Sequence, residues 1–293
     1  MKLSDIRVIP HGQADCFLIT LDNEDSKHYI LIDGGSKLWK GKGLPEYIKE
    51  SGIVEIDLMI LTHLHQDHIG WLEEISHNVR IHQAVLPFSA KETTKIEKIK
   101  NREVKNDYKS LCGIEQNLIL QGTKIAYGNR LAKYQSYIFG EYCLTAIYPS
   151  RHSRLPFYEA FCSEGELTET EQERAASFIN GDSSVWLLTK GNIQLALLCG
   201  DCFEENFAAE YLQYVKDQGL ALGMQVLKLS HHGRNDKGHI YFTESFVNQI
   251  KPKEVLITNT DENILIDQPQ WQGFSEEILK NVIGEGGIVK KIL

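Results

Sequence analysis

Residues 62–70, Thr-His-Leu-His-Gln-Asp-His-Ile-Gly, place three imidazoles and a carboxylate within six consecutive positions, directly after the apolar run Ile-Asp-Leu-Met-Ile-Leu at 56–61. That run is short and aliphatic and reads as a buried strand, so the cluster falls where a strand ends and a loop begins. In extended backbone His63 and His65 project to the same side, while Asp67 and His68 follow the turn and reach the same point from another direction. Imidazole nitrogen and carboxylate oxygen are donors that Zn²⁺ and similar divalent ions prefer. A single His-x-His pair is ordinarily solvated or hydrogen-bonded structure. Four donors with no lysine or arginine among them crowd one another unless a cation joins them. The segment is therefore expected to carry parts of two adjacent metal sites.

The rest of the chain bounds the setting. Its 293 residues suffice for one large layered domain with ample core. No apolar stretch approaches the roughly 18 residues of a membrane span, and the first residues start on a strand-like pattern rather than a hydrophobic leader. Six scattered cysteines in such a chain predict reduced thiols and a cytoplasmic protein without membrane association. Cys199 and Cys202 form a Cys-x-x-Cys, for which a redox role competes less well than the metal chemistry around it. With 31 basic and 40 acidic residues the net charge is −9, which argues against long-range attraction to duplex DNA. No aromatic pattern for stacking single strands is recognisable.

Alternation and turn residues place strands at 6–9, 17–21, 29–32, 56–61, 83–86, 144–148, 184–189, 193–198, 226–229 and 254–257. Helices are expected at 43–51, 69–77, 91–112, 203–218, 243–250 and 275–282. Two segments look like insertions. Residues 91–109 are charge-rich, either a solvated helix over one edge of the fold or a basic arm beside a cleft. Residues 163–180 are acidic and turn-rich before a helical stretch at 170–178, either a lid near the site or a surface excursion.

The pattern His-x-His-x-Asp-His resembles the signature of the metallo-β-lactamase fold, shared by glyoxalase II, RNase Z-type nucleases and many hydrolases. Four further blocks resemble its ComEC-like branch in the same order: residues 11–19 (HGQADCFLI), 31–35 (LIDGG), 198–201 (LCGD) and 227–233 (LKLSHHG). The blocks lie within residues 8–234. The resemblance implies an α/β fold, an αββα sandwich of two mixed β-sheets flanked by helices. It would form one domain over 1–293, with insertions at 91–112 and 156–180. It implies two divalent ions, zinc first with manganese or iron as alternatives: His63 and His65 on one, Asp67 and His68 on the other, Asp201 bridging and His231 completing the second. Such ions about 3.5–4 Å apart share a hydroxide of lowered pKa, which makes Asp67 and Asp201 the catalytic candidates. Asp33 and Asp15 are expected to orient ligands and turns.

His232, Lys228, Arg234 and Tyr148 are the substrate-binding candidates, Arg234 because its guanidinium can fork onto phosphate oxygens. The chain departs from the branch where a His-Pro pair is usual, having Tyr148-Pro149 in one place and Gln268-Pro269 in another. Tyr148, His152 or water are the open candidates for the missing ligand. The expected activity is metal-dependent hydrolysis of a phosphodiester, in single-stranded nucleic acid or a small phosphoester. A small phosphoester, lactone or thioester hydrolase and a non-catalytic binding module are the alternatives. Protein partners are left open.

Overall fold

A computed structural model describes residues 4–9, 12–23, 26–162, 165–236, 238–283 and 288–292. His11, in the first resemblance block, and Ser163, at the start of the second candidate insertion, lie outside them. Two seven-stranded sheets pack face to face. The first runs β14 (Ile288–Ile292), β1 (Ser4–Val8), β2 (Phe17–Asp22), β3 (Lys27–Ile32), β4 (Glu55–Ile60), β5 (Arg80–Leu86), β6 (Lys124–Tyr127). The second runs β13 (Leu279–Ile283), β12 (Pro252–Thr258), β11 (Met224–Lys228), β10 (Ile193–Leu198), β9 (Val185–Lys190), β8 (Tyr142–Tyr148), β7 (Ser136–Phe139). Each sheet is a four-strand antiparallel portion continued by three parallel strands: β3–β4–β5–β6 in one, β10–β11–β12–β13 in the other. The halves thus repeat in topology, without a repeat in sequence.

Alternation explains the layering. In β2, Phe17, Ile19 and Leu21 face the second sheet, where they join Trp186, Leu188, Ala196 and Leu256. Leu18 of the same strand faces outward with Leu31 and Met59, against helices α1 (Leu44–Glu50), α3 (Leu72–Asn78) and α4 (Arg102–Gln121). The short α2 (Gln66–Ile69) begins at the histidine cluster. On the opposite outer face α7 (Glu204–Asp217) and α8 (Glu244–Ile250) cover Leu187, Leu197, Leu227 and Val255. Helices α5 (Pro156–Cys162) and α6 (Glu169–Ala176) precede β9, and α9 (Asp261–Asp267) follows β12. The result is the expected αββα sandwich of mixed sheets. Among the described residues no helix is long and apolar enough to cross a membrane.

Two helix expectations are corrected. Residues 90–98 form two short 3₁₀ turns, and α4 starts only after Asn101, whose side chain accepts the backbone N–H of Glu103 and Val104. It then runs on to Gly122 because buried Leu111, Ile114 and Leu118 continue the helical spacing. Residues 275–282 do not form a helix. From Leu279 they pair parallel with β12 as an edge strand. Ile278 and Val282 have helical spacing, but the open sheet edge offers the backbone a ladder, which outweighs so weak a local preference.

Candidate metal centre

All five resemblance blocks meet at the carboxyl ends of the parallel strands, where ligands bind in open α/β sheets. The loops after β3 and β4 are stitched by backbone hydrogen bonds: Gly34 N–H to His68 O (2.6 Å), Asp15 N–H to Asp67 O (3.1 Å) and Gly35 N–H to Asp15 O (2.8 Å). Any side chain at Gly70 would strike the Gly35 carbonyl, so glycine is required for this approach. Asp33 sits in the left-handed region at φ 59°. From there it accepts the Thr62 N–H (2.8 Å) and the Thr62 hydroxyl (2.7 Å).

These bonds orient the imidazoles. His68 Nδ1 lies 2.8 Å from Asp33 Oδ2, and His63 Nδ1 lies 3.1 Å from the Thr62 hydroxyl already donated to Asp33. His232 Nδ1 is 3.0 Å from Thr258 Oγ1, which donates to Asp15 (2.6 Å). In each case Nδ1 is the donor and Nε2 is left facing inward, the arrangement that fixes the tautomer of a metal-binding histidine. His68 Nε2 and His232 Nε2 are buried and have no hydrogen-bond partner. His68 Nε2 nevertheless stands 3.3 Å from Asp201 Oδ1, and His232 Nε2 stands 3.2 Å from Asp67 Oδ2 and 3.5 Å from Asp201 Oδ2. His63 Nε2 is 3.1 Å from His65 Nδ1 and 4.0 Å from Asp201 Oδ2. His68 Nε2 and His232 Nε2 thus approach carboxylate oxygens without hydrogen-bonding them, an arrangement that a cation would satisfy. The donor sets His63/His68/Asp201 and Asp67/His68/His232 each lie within 4.8 Å; they share His68 and mark where divalent ions could be held.

The electrostatics agree. Asp15 and Asp201 pair with the buried Lys228, while Asp33 faces His68 and Asp67 faces His232. Burial opposes charge on His68 and His232, yet Asp201 with Asp33, and Asp201 with Asp15, hold these imidazoles well above the usual histidine range. Burial, reinforced by the neighbouring imidazole of His68, pushes His63 down. The site gathers positive charge wherever it can, as a cluster with surplus carboxylate must.

Several expected roles move. Of the adjacent histidines, His232 belongs to the donor groups of the cluster, while His231 lies against Tyr241 with ring centroids 3.8 Å apart and its Nδ1 3.1 Å from the Arg234 carbonyl. Both are left-handed, φ 50° and 55°, so strand alternation does not assign their directions. Lys228 is fully buried, donates to Gly200 O (2.7 Å) and pairs with Asp15 and Asp201 (3.5 Å), so it braces carboxylates and is out of reach of substrate. Tyr148 donates to the Arg154 carbonyl (3.0 Å) and packs in the outer core. His152 is exposed and accepts from Arg151, and Gln268 is exposed. His152 belongs to none of the donor groups found among the described residues. Arg234 is half-buried and is not among the described residues lining the cleft beside the cluster. Cys199 and Cys202 are buried free thiols, and burial pushes both up, away from redox reactivity.

Residues without a local sequence signal complete the site. Thr258 links His232 to Asp15, and Ser183 Oγ accepts the Asp201 N–H (3.1 Å). Asn180 donates to Tyr241 (3.1 Å) while its buried Oδ1 has no partner. The cleft encloses about 800 Å³ and is lined by His65, Gln66 and Asp67 on its floor. Trp39 and Ser36, Asn101, Glu103, Val104 and Asp107 at the α4 end, and Ala176 and Ile179 of the 156–180 segment complete the lining. Within the 91–109 segment, Lys98 and Lys100 pair with Glu166 and Glu169, and the charged residues that line the cleft are Glu103 and Asp107.

Residues 9–134 match the sequence model of the metallo-beta-lactamase superfamily. No curated protein sequence matches the chain. Among solved structures, a mutant of the CmlA beta-hydroxylase aligns over 100% of this chain and 54% of its own, at 13% identity and TM-score 0.51. CmlA itself, a diiron beta-hydroxylase from Streptomyces venezuelae, aligns over 100% of this chain and 55% of its own, at 14% and 0.50. The metallo-beta-lactamase fold protein YhfI from Bacillus subtilis covers 99% of this chain and 100% of its own, at 14% and 0.49. The chain spans about half the length of the CmlA chains. At these identities the likeness shows the fold alone.

Proposed function

We propose that this protein is a metal-dependent hydrolase of a small phosphodiester. The observation that carries the reading is the convergence of the unpartnered Nε2 atoms of His68 and His232 on Asp201 and Asp67, beside the cleft that Asp67 lines. His63, His65 and Asp201 would hold one ion, with Asp67, His68 and His232 on the second and Asp201 shared. Nitrogen and oxygen donors of this kind accept zinc, manganese or iron. Two bound divalent ions supply Lewis acidity toward a phosphoryl oxygen and an activated water. Asp33 and Thr62 on one side, Asp15 and Thr258 on the other, hold the ligand imidazoles in place. Lys228 keeps Asp15 and Asp201 ionised and fixed.

The cleft volume falls in the ~300–1,000 Å³ range of small-molecule sites. No lysine or arginine is among its described lining residues, which favours a small substrate over a nucleic acid strand, whose binding rests on phosphate contacts by cations. The same lining accommodates a neutral lactone or thioester, the competing reading. Protein loaded with zinc or manganese should hydrolyse bis(p-nitrophenyl) phosphate, lose this activity to a chelator, and act at least about tenfold more slowly on single-stranded DNA, which lacks its cationic contacts here. Turnover of a lactone alone would sink the phosphodiester reading.

A further inference from the structure

The part of the cleft lining that α4 supplies, beside Asp67, has an unusual composition. Asp107 lies on the inner face of α4, is 7% exposed, and makes no hydrogen bond or ion pair with the described residues. An acid buried this far ordinarily has a partner. Glu103, one turn earlier on α4, lines the same cleft, and the Trp39 indole stands among the other lining residues. The N-terminal end of α4 would offset this negative charge, but the Asn101 side chain occupies the N–H groups of Glu103 and Val104.

We propose that this wall is a subsite for an organic ammonium group, so that the substrate is a small molecule carrying a cationic amine beside the bond that is cleaved. The reading rests on the hydrolase assignment above and names its substrate class. Three observations favour an ammonium over a further metal ion. Asp107 and Glu103 belong to none of the ligand clusters found among the described residues. Val104, Ala176 and Ile179 give the cleft apolar surface, which suits the carbon frame of an amine and does nothing for a hydrated ion. Trp39 offers the aromatic face on which alkylammonium groups rest. The burial of Asp107 and its neighbours Asp67 and Glu103 also raise its pKa to about 7. An approaching cation relieves that repulsion, and ammonium–carboxylate pairing in a partly dry cleft is a strong contact.

The test compares two esters with the same reacting centre, 2-aminoethyl 4-nitrophenyl phosphate and ethyl 4-nitrophenyl phosphate, on metal-loaded protein. The aminoethyl ester should have a kcat/KM at least about tenfold higher, the scale of one charge-assisted contact. The ratio should fall toward one in Asp107→Asn and shrink in Trp39→Leu. Calorimetry with n-butylammonium, which needs no turnover, should show binding that n-butanol lacks and that Asp107→Asn weakens about tenfold. Equal kcat/KM values in the unmodified protein, or a ratio unmoved by Asp107→Asn, overturn the proposal. So does a third metal ion per chain that is lost in Asp107→Asn. If neither ester is hydrolysed, the phosphodiester reading fails and butylammonium binding alone decides: Asp107-dependent binding sustains the subsite, and its absence removes it.

Discussion

The two halves of the molecule end in the same topology but carry buried charge in opposite ways. In the second half Lys228 at the end of β11 is the one buried lysine or arginine among the described residues, and it is fully paired, to Asp15, Asp201 and a carbonyl. In the first half Asp107 on α4 is a buried acid with no hydrogen bond or ion pair among the described residues. The paired charge holds a site together. The unpaired one is held at a cost by the surrounding fold, which is where a ligand is to be sought. The loops beyond the parallel strands differ as well. The first half supplies its donors from six consecutive residues, whereas the second supplies Asp201 after β10 and His232 after β11, brought together only by the parallel pairing of these strands.

The contrast can be broken first at Lys228. Lys228→Met should destabilise the protein by about 3–5 kcal/mol, since it strands Asp15 and Asp201 as buried charges. Denaturant titration of the metal-free protein measures this, and an unchanged midpoint would mean the pair is not the brace described here. Asp107→Asn should act in the opposite direction. Between the usual aspartate range near 4 and its own value of about 7, folded Asp107 keeps a proton that the unfolded chain has lost. Its contribution to stability therefore falls as pH rises through that window. In metal-free protein the variant should match the parent near pH 4 and gain on it up to pH 8, by on the order of 2–4 kcal/mol. A stability difference independent of pH would contradict this.

The smallest effect separates the adjacent histidines. His232→Ala should weaken metal binding by roughly 10–100-fold, the scale of a lost ligand or of its support. His231→Ala should leave affinity within about threefold and lower Tm through lost packing on Tyr241. Metal titration with a competing chelator reads both, and a reversal of the two results would restore the other assignment.

Much of the fold and half of the centre were legible in the chain. The apolar run at 56–61 and the cluster at 63–68 needed only local geometry, because strand alternation places His63 and His65 and the turn returns Asp67 and His68. The edge strands β6, β7 and β13 were not legible, since they are short and half-exposed and take their form from a neighbour's open backbone. Nor was the direction of His231 and His232, which depends on two left-handed residues that alternation does not cover.

By itself the sequence determined which chemistry is present: imidazoles and carboxylates at a strand end, and a layered sandwich to carry them. Only the tertiary structure decided which of these groups face one another. Thr258 and Asp15, 243 residues apart, share a hydrogen bond that aims His232, and α4 turns Asp107 rather than its lysines toward the cleft. Side-chain chemistry is local, but charge pairing is a property of distances. Those are set by how the sheets and helices pack.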